Sequence, residues 1–237
     1  MLNSPLKRYW VRTHAPLNCL VFVLPLIALY ELGLAKANTD LLARMHLQRL
    51  LWELGATAAY LPAALVVMVL VVWQLKARAA WRIHGKVVAG MYIESVLVAM
   101  PLLGIGLLTR RMVAAAGPAA GGELWAQMLI GMGAGVYEEF VFRLVALSLL
   151  GLLLIDVLEL RRDLSALLAA AVCAVLFAWY HFPAGEAVVW TDFVFFFLAG
   201  CYLAGVYLTR GFGIAVGTHV SYNLIIILIK ALARMNS

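Results

Sequence analysis

Apolar residues run through this chain in long blocks separated by short polar stretches. The blocks fall at about 16–35, 57–75, 87–109, 124–155, 164–182, 188–209 and 212–233. Each is close to the roughly 20 helical residues that cross a bilayer core about 30 Å thick. The pattern predicts an all-α polytopic membrane protein, a bundle of roughly 6–8 transmembrane helices. The fourth block, as one helix rising about 1.5 Å per residue, would be about 48 Å long, more than a crossing needs. A break or tilt is expected there, with Gly151 as the candidate point.

Composition agrees. Hydrophobic residues make up 65% of the 237 positions and charged residues 13%, against about a quarter charged in soluble domains. Short connections leave no room for a large soluble domain, so residues 1–237 read as one membrane domain, with a motif-bearing core at 124–233. The net charge of +6 is spread between the apolar blocks as membrane-surface anchors are, so no nucleic-acid partner is implied and the partner surface is the lipid bilayer. Cys19, Cys173 and Cys201 all lie inside apolar blocks. They read as small buried side chains, without disulfide or zinc-thiolate spacing.

Lys7, Arg8 and Arg12 precede the first block, and Ala35-Lys36-Ala37 follows it in the manner of a signal-peptidase site. The block is too long for an ordinary signal core, so an uncleaved first helix is expected. Residues 38–56 carry Asp40, Arg44, Arg49 and Glu53 at helical spacing and are expected to form an interfacial or connector helix. Residues 114–122 read as an extramembrane loop rich in Ala and Gly. Lys7, Arg8 and Arg12 fall on the same side as Lys76, Arg78, Arg82 and Lys86. By the positive-inside rule that side, with the N-terminus, is cytoplasmic, although Arg110 and Arg111 fall opposite. A bacterial inner membrane is the expected location.

Ionisable residues inside a span cost about 2.5–3.5 kcal/mol each on insertion scales, so those present demand a reason. Three clusters stand out: Glu138, Glu139 and Arg143; Phe177 to His181; and His219 to Asn223. Glu139 and Arg143, four apart, share a helix face and read as an ion pair, leaving Glu138 rotated about 100° away without a local partner. His219 and Asn223 also share a face, and either interhelical packing or chemistry explains them. A capping His in an interfacial aromatic belt explains His181 taken by itself. Glu31, Glu94, Asp156 and Asp192 carry no motif and are expected to snorkel or sit solvated near span ends. Gly131 and Gly135 form a small-residue spacing suited to close helix packing.

Together, a carboxylate, two histidines and an amide on three helices make a hydrolytic set. Glu138 suits a general base that takes a proton from water and later returns it, with His181 holding the same water. His219 and Asn223 suit donors to an oxyanion. At these positions the chain resembles the CAAX prenyl protease and bacteriocin-processing family. Its three motifs correspond to Glu138-Glu139-Phe140-Val141-Phe142-Arg143, Phe177-Ala178-Trp179-Tyr180-His181 and His219-Val220-Ser221-Tyr222-Asn223. The resemblance covers residues 138–223. It implies about eight membrane helices around a water-accessible polar cavity and peptide hydrolysis by glutamate-activated water without a covalent intermediate. It also implies Glu138 and His181 as the acid–base pair, His219 and Asn223 as oxyanion stabilisers, and Glu139 and Arg143 in support.

The implied partner is a membrane-anchored protein or peptide substrate: a prenylated C-terminus, a bacteriocin-type leader, a regulatory anchor or a C-terminal sorting tag. No cofactor is expected. The alternative is zinc held by Glu138, His181 and His219, although the His-Glu-x-x-His helix is lacking. The rival class is a non-catalytic transporter component or immunity-type scaffold using the same residues for proton relay or packing.

Overall fold

A computed structural model describes residues 4–37, 45, 48, 49, 52, 53, 60–109, 123–182 and 187–235. The Ala/Gly loop at 114–122 lies outside the described residues, as does most of the 38–56 segment, of which Arg49 and Glu53 are helical and exposed.

Eight helices occur among the described residues, seven of them at the predicted blocks. They are α1 (Pro5–Thr13), α2 (Pro16–Ala37), α3 (Leu61–Lys76), α4 (Gly85–Leu108), α5 (Leu124–Val157), α6 (Arg162–Tyr180), α7 (Trp190–Arg210) and α8 (Phe212–Met235). All but α1 and α3 are long and apolar enough to cross a membrane. The chain is a multi-pass integral membrane protein.

The short α1 is absent from the hydropathy pattern because three of its nine residues are basic. Its start is encoded locally: Ser4 caps the backbone N–H of Lys7, and Pro5 occupies the first turn, where a missing N–H does no harm.

α5 does not break at Gly151. It continues through Leu124–Val157 by widening into π-helix at Phe140–Leu147 and again at Leu153–Val157. A side chain at Gly151 would meet nothing within 4 Å, so no neighbour forces a bend there. The excess length is carried by the C-terminal part, where Leu149, Leu152, Leu153 and Val157 are exposed.

Hydrogen bonds fix which helix ends lie together. The backbone N–H of Leu17 donates to Gln74 Oε1 (3.0 Å) and that of His84 to Asn18 Oδ1 (3.3 Å), joining the start of α2 to the end of α3 and the approach to α4. Tyr9 of α1 donates to Glu94 Oε2 (2.7 Å), which also binds Arg210 at the end of α7. These elements define one end of the bundle. At the opposite end, Gly33 of α2 abuts Leu129 of α5, and Trp179 of α6 meets Phe193 of α7.

α8 is the centre, packed on α5, α4, α7 and α2. Its first nine residues are all buried, as a helix surrounded by protein requires. Two glycines allow the neighbours in: a side chain at Gly213 would press on Met91 and Cys19, and one at Gly217 on Ser95 and Phe22. Gly131 and Gly135 do the same for α5, where a side chain on Gly135 would lie 2.8 Å from the backbone nitrogen of Val220. The small-residue spacing thus sets the α5–α8 approach. The apolar outer faces of α4 and α6, including Ile93, Leu97, Leu167 and Val172, are left exposed for lipid.

Of the acids expected near solvent, Glu31 and Asp192 are buried and Glu94 is partly buried. The Tyr137 hydroxyl donates to Glu31, tying α5 to α2. Glu94 is held by Arg210 and Tyr9, and Asp192 is buried beside Thr191 at the start of α7. Each has a polar partner, which is what makes burial tolerable. Asp156 is exposed as expected.

Candidate active site

α5 delivers two adjacent glutamates to the centre and changes to π-helix at the next residue, Phe140. Such widened turns are rare and frequently occur at functional sites. Glu139 and Arg143 still share a face: Arg143 Nη1 lies 3.0 Å from Glu139 Oε1, with both side chains essentially fully buried. Arg143 also donates to the carbonyl of Gly200 on α7 (3.3 Å) and lies over the Phe177 ring of α6 at 4.3 Å. One buried guanidinium therefore binds α5, α6 and α7 together.

Glu139 has a second partner that sequence spacing did not reveal. His219 Nδ1 lies 2.8 Å from the same Oε1, so it donates its proton to the carboxylate and the imidazole is oriented from behind. His219 Nε2 is thereby turned toward Glu138 Oε2, at 3.9 Å.

His181 reaches Glu138 from the other side. It ends α6 and directs Nδ1 at the carbonyl of Phe177, 2.7 Å away, which assigns the proton to Nδ1 and leaves Nε2 as an acceptor. That Nε2 lies 3.7 Å from Glu138 Oε2. The ring stacks on Phe196 of α7, centroids 3.8 Å apart. Glu138 is 6% exposed, and its Oε2 has no hydrogen-bond partner among the described residues. Arg143 is taken by Glu139, so Glu138 has only the two imidazoles or a ligand to meet.

Glu138, His181, His219 and Asn223 all line one cavity of about 160 Å³, whose walls are otherwise largely apolar. The structure thus brings together all four candidate residues, with Glu139 and Arg143 directly behind them. Asn223 donates through Nδ2 to the carbonyl of Gly131 on α5 (3.0 Å), which leaves its second amide N–H uncommitted by that bond. Tyr222, also in the wall, has a buried hydroxyl without a partner among the described residues. Phe196 and Tyr222 were not singled out as functional: Phe196 lies in an aromatic run that hydropathy reads as plain span, and Tyr222 lies inside a motif without an assigned role.

Among the described residues, no group of three or more His, Cys, Asp or Glu side chains is placed to hold a metal ion. Glu138 Oε2 lies 3.7 and 3.9 Å from His181 and His219 Nε2, and no step is routed through a metal.

Residues 120–225 match the family model described as type II CAAX prenyl endopeptidase Rce1-like. Over this segment the chain is similar to the CAAX protease family. The match spans all three motifs and every residue of the cavity cluster that lies on α5, α6 and α8 up to Asn223. Proteins of that family are usually proteases. No curated protein and no solved structure matches the chain.

Proposed function

We propose that this protein is an intramembrane endopeptidase that hydrolyses a peptide bond of a membrane-anchored protein or peptide, with Glu138 as the base that activates water. The observation that carries the reading is Glu138 Oε2, buried and unpartnered at a cavity, with the Nε2 atoms of His181 and His219 at 3.7 and 3.9 Å. Glu139 has the Arg143 guanidinium for its charge, whereas Glu138 faces only these imidazoles and the cavity, and an unpaired buried charge is expensive.

In this reading a water adjacent to these three atoms gives one proton to Glu138 as its oxygen attacks the scissile carbonyl carbon. Its other hydrogen is accepted by His181 Nε2, the free lone pair left by the Phe177 contact. The tetrahedral oxyanion accepts from the second N–H of Asn223 and from His219 Nε2. For that donation His219 carries protons on both nitrogens, and the Glu139 carboxylate at 2.8 Å compensates the charge. Glu138 then passes its proton to the amide nitrogen as the C–N bond breaks, releasing an amine and a carboxylic acid that keeps the second water proton until it ionises.

The Asn223–Gly131 bond gives the scaffold reading its one specific support, because it joins two helices as packing glue would. Comparing protein termini in membranes from cells carrying wild-type, Glu138→Gln or Asn223→Ala protein at matched abundance separates the two. A set of cleaved termini lost in both variants is expected, whereas unchanged termini with all three proteins folded would sink the protease reading. Cleavage by the purified protein is expected to resist chelators.

A further inference from the structure

The cavity lies in one half of the bundle. On α5 it is lined by Gln127, Ile130, Gly131, Ala134 and Glu138, all in the N-terminal half of that helix. On α4 it uses Leu102, near the C-terminus, and on α6 it uses Phe177 and His181 at the very end. On α7 its residues are again N-terminal, from Phe195 to Leu203. The chain alternates direction, so these portions share one end of the bundle, the end where α8 finishes. From Glu138 the cavity runs toward Gln127, about 16 Å along α5 at 1.5 Å per residue.

The other half is closely packed among the described residues. The fully buried first turns of α8 pack there against Cys19, Phe22, Met91 and Ser95, closely enough that Gly213 and Gly217 are needed. Beyond them lies the closed cluster of Glu94, Arg210 and Tyr9 under α1.

That closed end also carries the basic residues. Lys7, Arg8, Arg12, Lys76, Arg78, Arg82, Lys86, Arg161 and Arg162 are exposed there, four of them flanking the short α3–α4 connection. The described residues at the cavity end include fewer: Lys36, Arg49, Lys230 and Arg234. Short basic loops are retained on the cytoplasmic side, where anionic headgroups also attract them.

We infer that the cavity opens toward the non-cytoplasmic face. The substrate is then an exported, membrane-anchored polypeptide whose scissile bond lies at the outer end of its anchor, rather than a lipidated tail displayed in the cytoplasm. The orientation stands on cavity position and charge; the substrate half rests on the protease reading.

The test is single-cysteine labelling of the full chain in intact cells, in a Cys201→Ala background because Cys19 and Cys173 are buried. A membrane-impermeant maleimide is expected to label Gln127→Cys and Arg234→Cys to the level reached after permeabilisation. Arg78→Cys is expected to stay unlabelled until cells are opened. The reverse pattern, or labelling of Arg234→Cys without Gln127→Cys, overturns the inference whatever the catalytic activity. Termini lost in Glu138→Gln cells should map to the exported side of membrane anchors. Termini on the cytoplasmic side, or none lost, would overturn the substrate half, while labelling separately decides the orientation.

Discussion

Two glutamate–arginine clusters, one fully buried and one partly, sit in opposite halves of this bundle and differ in how their acids are matched. In the closed half, both Glu94 oxygens are taken: Arg210 Nε lies 2.5 Å from Oε1, Arg210 Nη2 donates to Oε2 at 2.8 Å and the Tyr9 hydroxyl donates to Oε2 at 2.7 Å. The guanidinium also lies over the Trp10 ring at 4.1 Å. Burial, and then the bond to Glu94, push the Tyr9 hydroxyl above its ordinary pKa, so it stays a donor at any physiological pH. In the cavity half, Arg143 and His219 both bind Glu139 Oε1 while its Oε2 has no partner among the described residues, and a second carboxylate, Glu138, is left over at the cavity wall. A buried ion pair is therefore no sign of chemistry. The sign is an unmatched acid beside one, facing a cavity.

The largest effect expected from breaking this contrast is that of Glu138→Gln. The amide fills the same space but cannot take the proton from water, so peptide cleavage should fall by about 10²–10⁴-fold, the usual range for a lost general base. Because Glu138 Oε2 has no partner among the described residues, stability should be unchanged or slightly raised. A melting curve in detergent alongside the cleavage assay checks both halves.

Glu94→Gln should do the opposite. It strands the Arg210 guanidinium, and removing one partner of a buried pair costs about 3–5 kcal/mol, so the protein should melt early and accumulate poorly. Whatever folds should cleave at the wild-type rate per molecule. Replacing both members, Glu94→Gln with Arg210→Met, should recover much of the stability, and a double-mutant cycle measures how much.

Asn223→Ala comes next. Losing one oxyanion donor typically costs about 10²–10³ in kcat, so cleavage should fall by that factor with KM little changed. If Asn223 only ties α8 to the Gly131 carbonyl, the variant would instead lose stability and keep its kcat.

The two clusters also differ in how far the chain announced them. The cavity half was readable because its polar residues fall inside apolar blocks at spacings of one turn: Glu139 with Arg143, His219 with Asn223. The closed half was not, because Glu94 and Arg210 are 116 positions apart and each looks like a span-end charge. Long-range pairing also hid the bond from His219 to Glu139. The seven apolar helices followed directly from hydropathy, whereas α1 required tertiary contacts to matter. The π-helical turns left no trace in an apolar pattern assumed to have a period of 3.6.

The smallest effects concern geometry rather than charge. Gly135→Ala would place a methyl group 2.8 Å from the Val220 nitrogen and 3.1 Å from its Cα, and backbone cannot swing aside as a side chain can. About 1–3 kcal/mol of overpacking is expected, relieved by α5 moving off α8. That motion separates Glu138 on α5 from His219 on α8, so cleavage should fall further than the melting temperature suggests. Gly151→Ala lies in the same helix with open space around it and should leave cleavage untouched while stabilising by up to about 1 kcal/mol through helix propensity. Equal effects at the two glycines would mean that the α5–α8 approach does not set the reacting geometry.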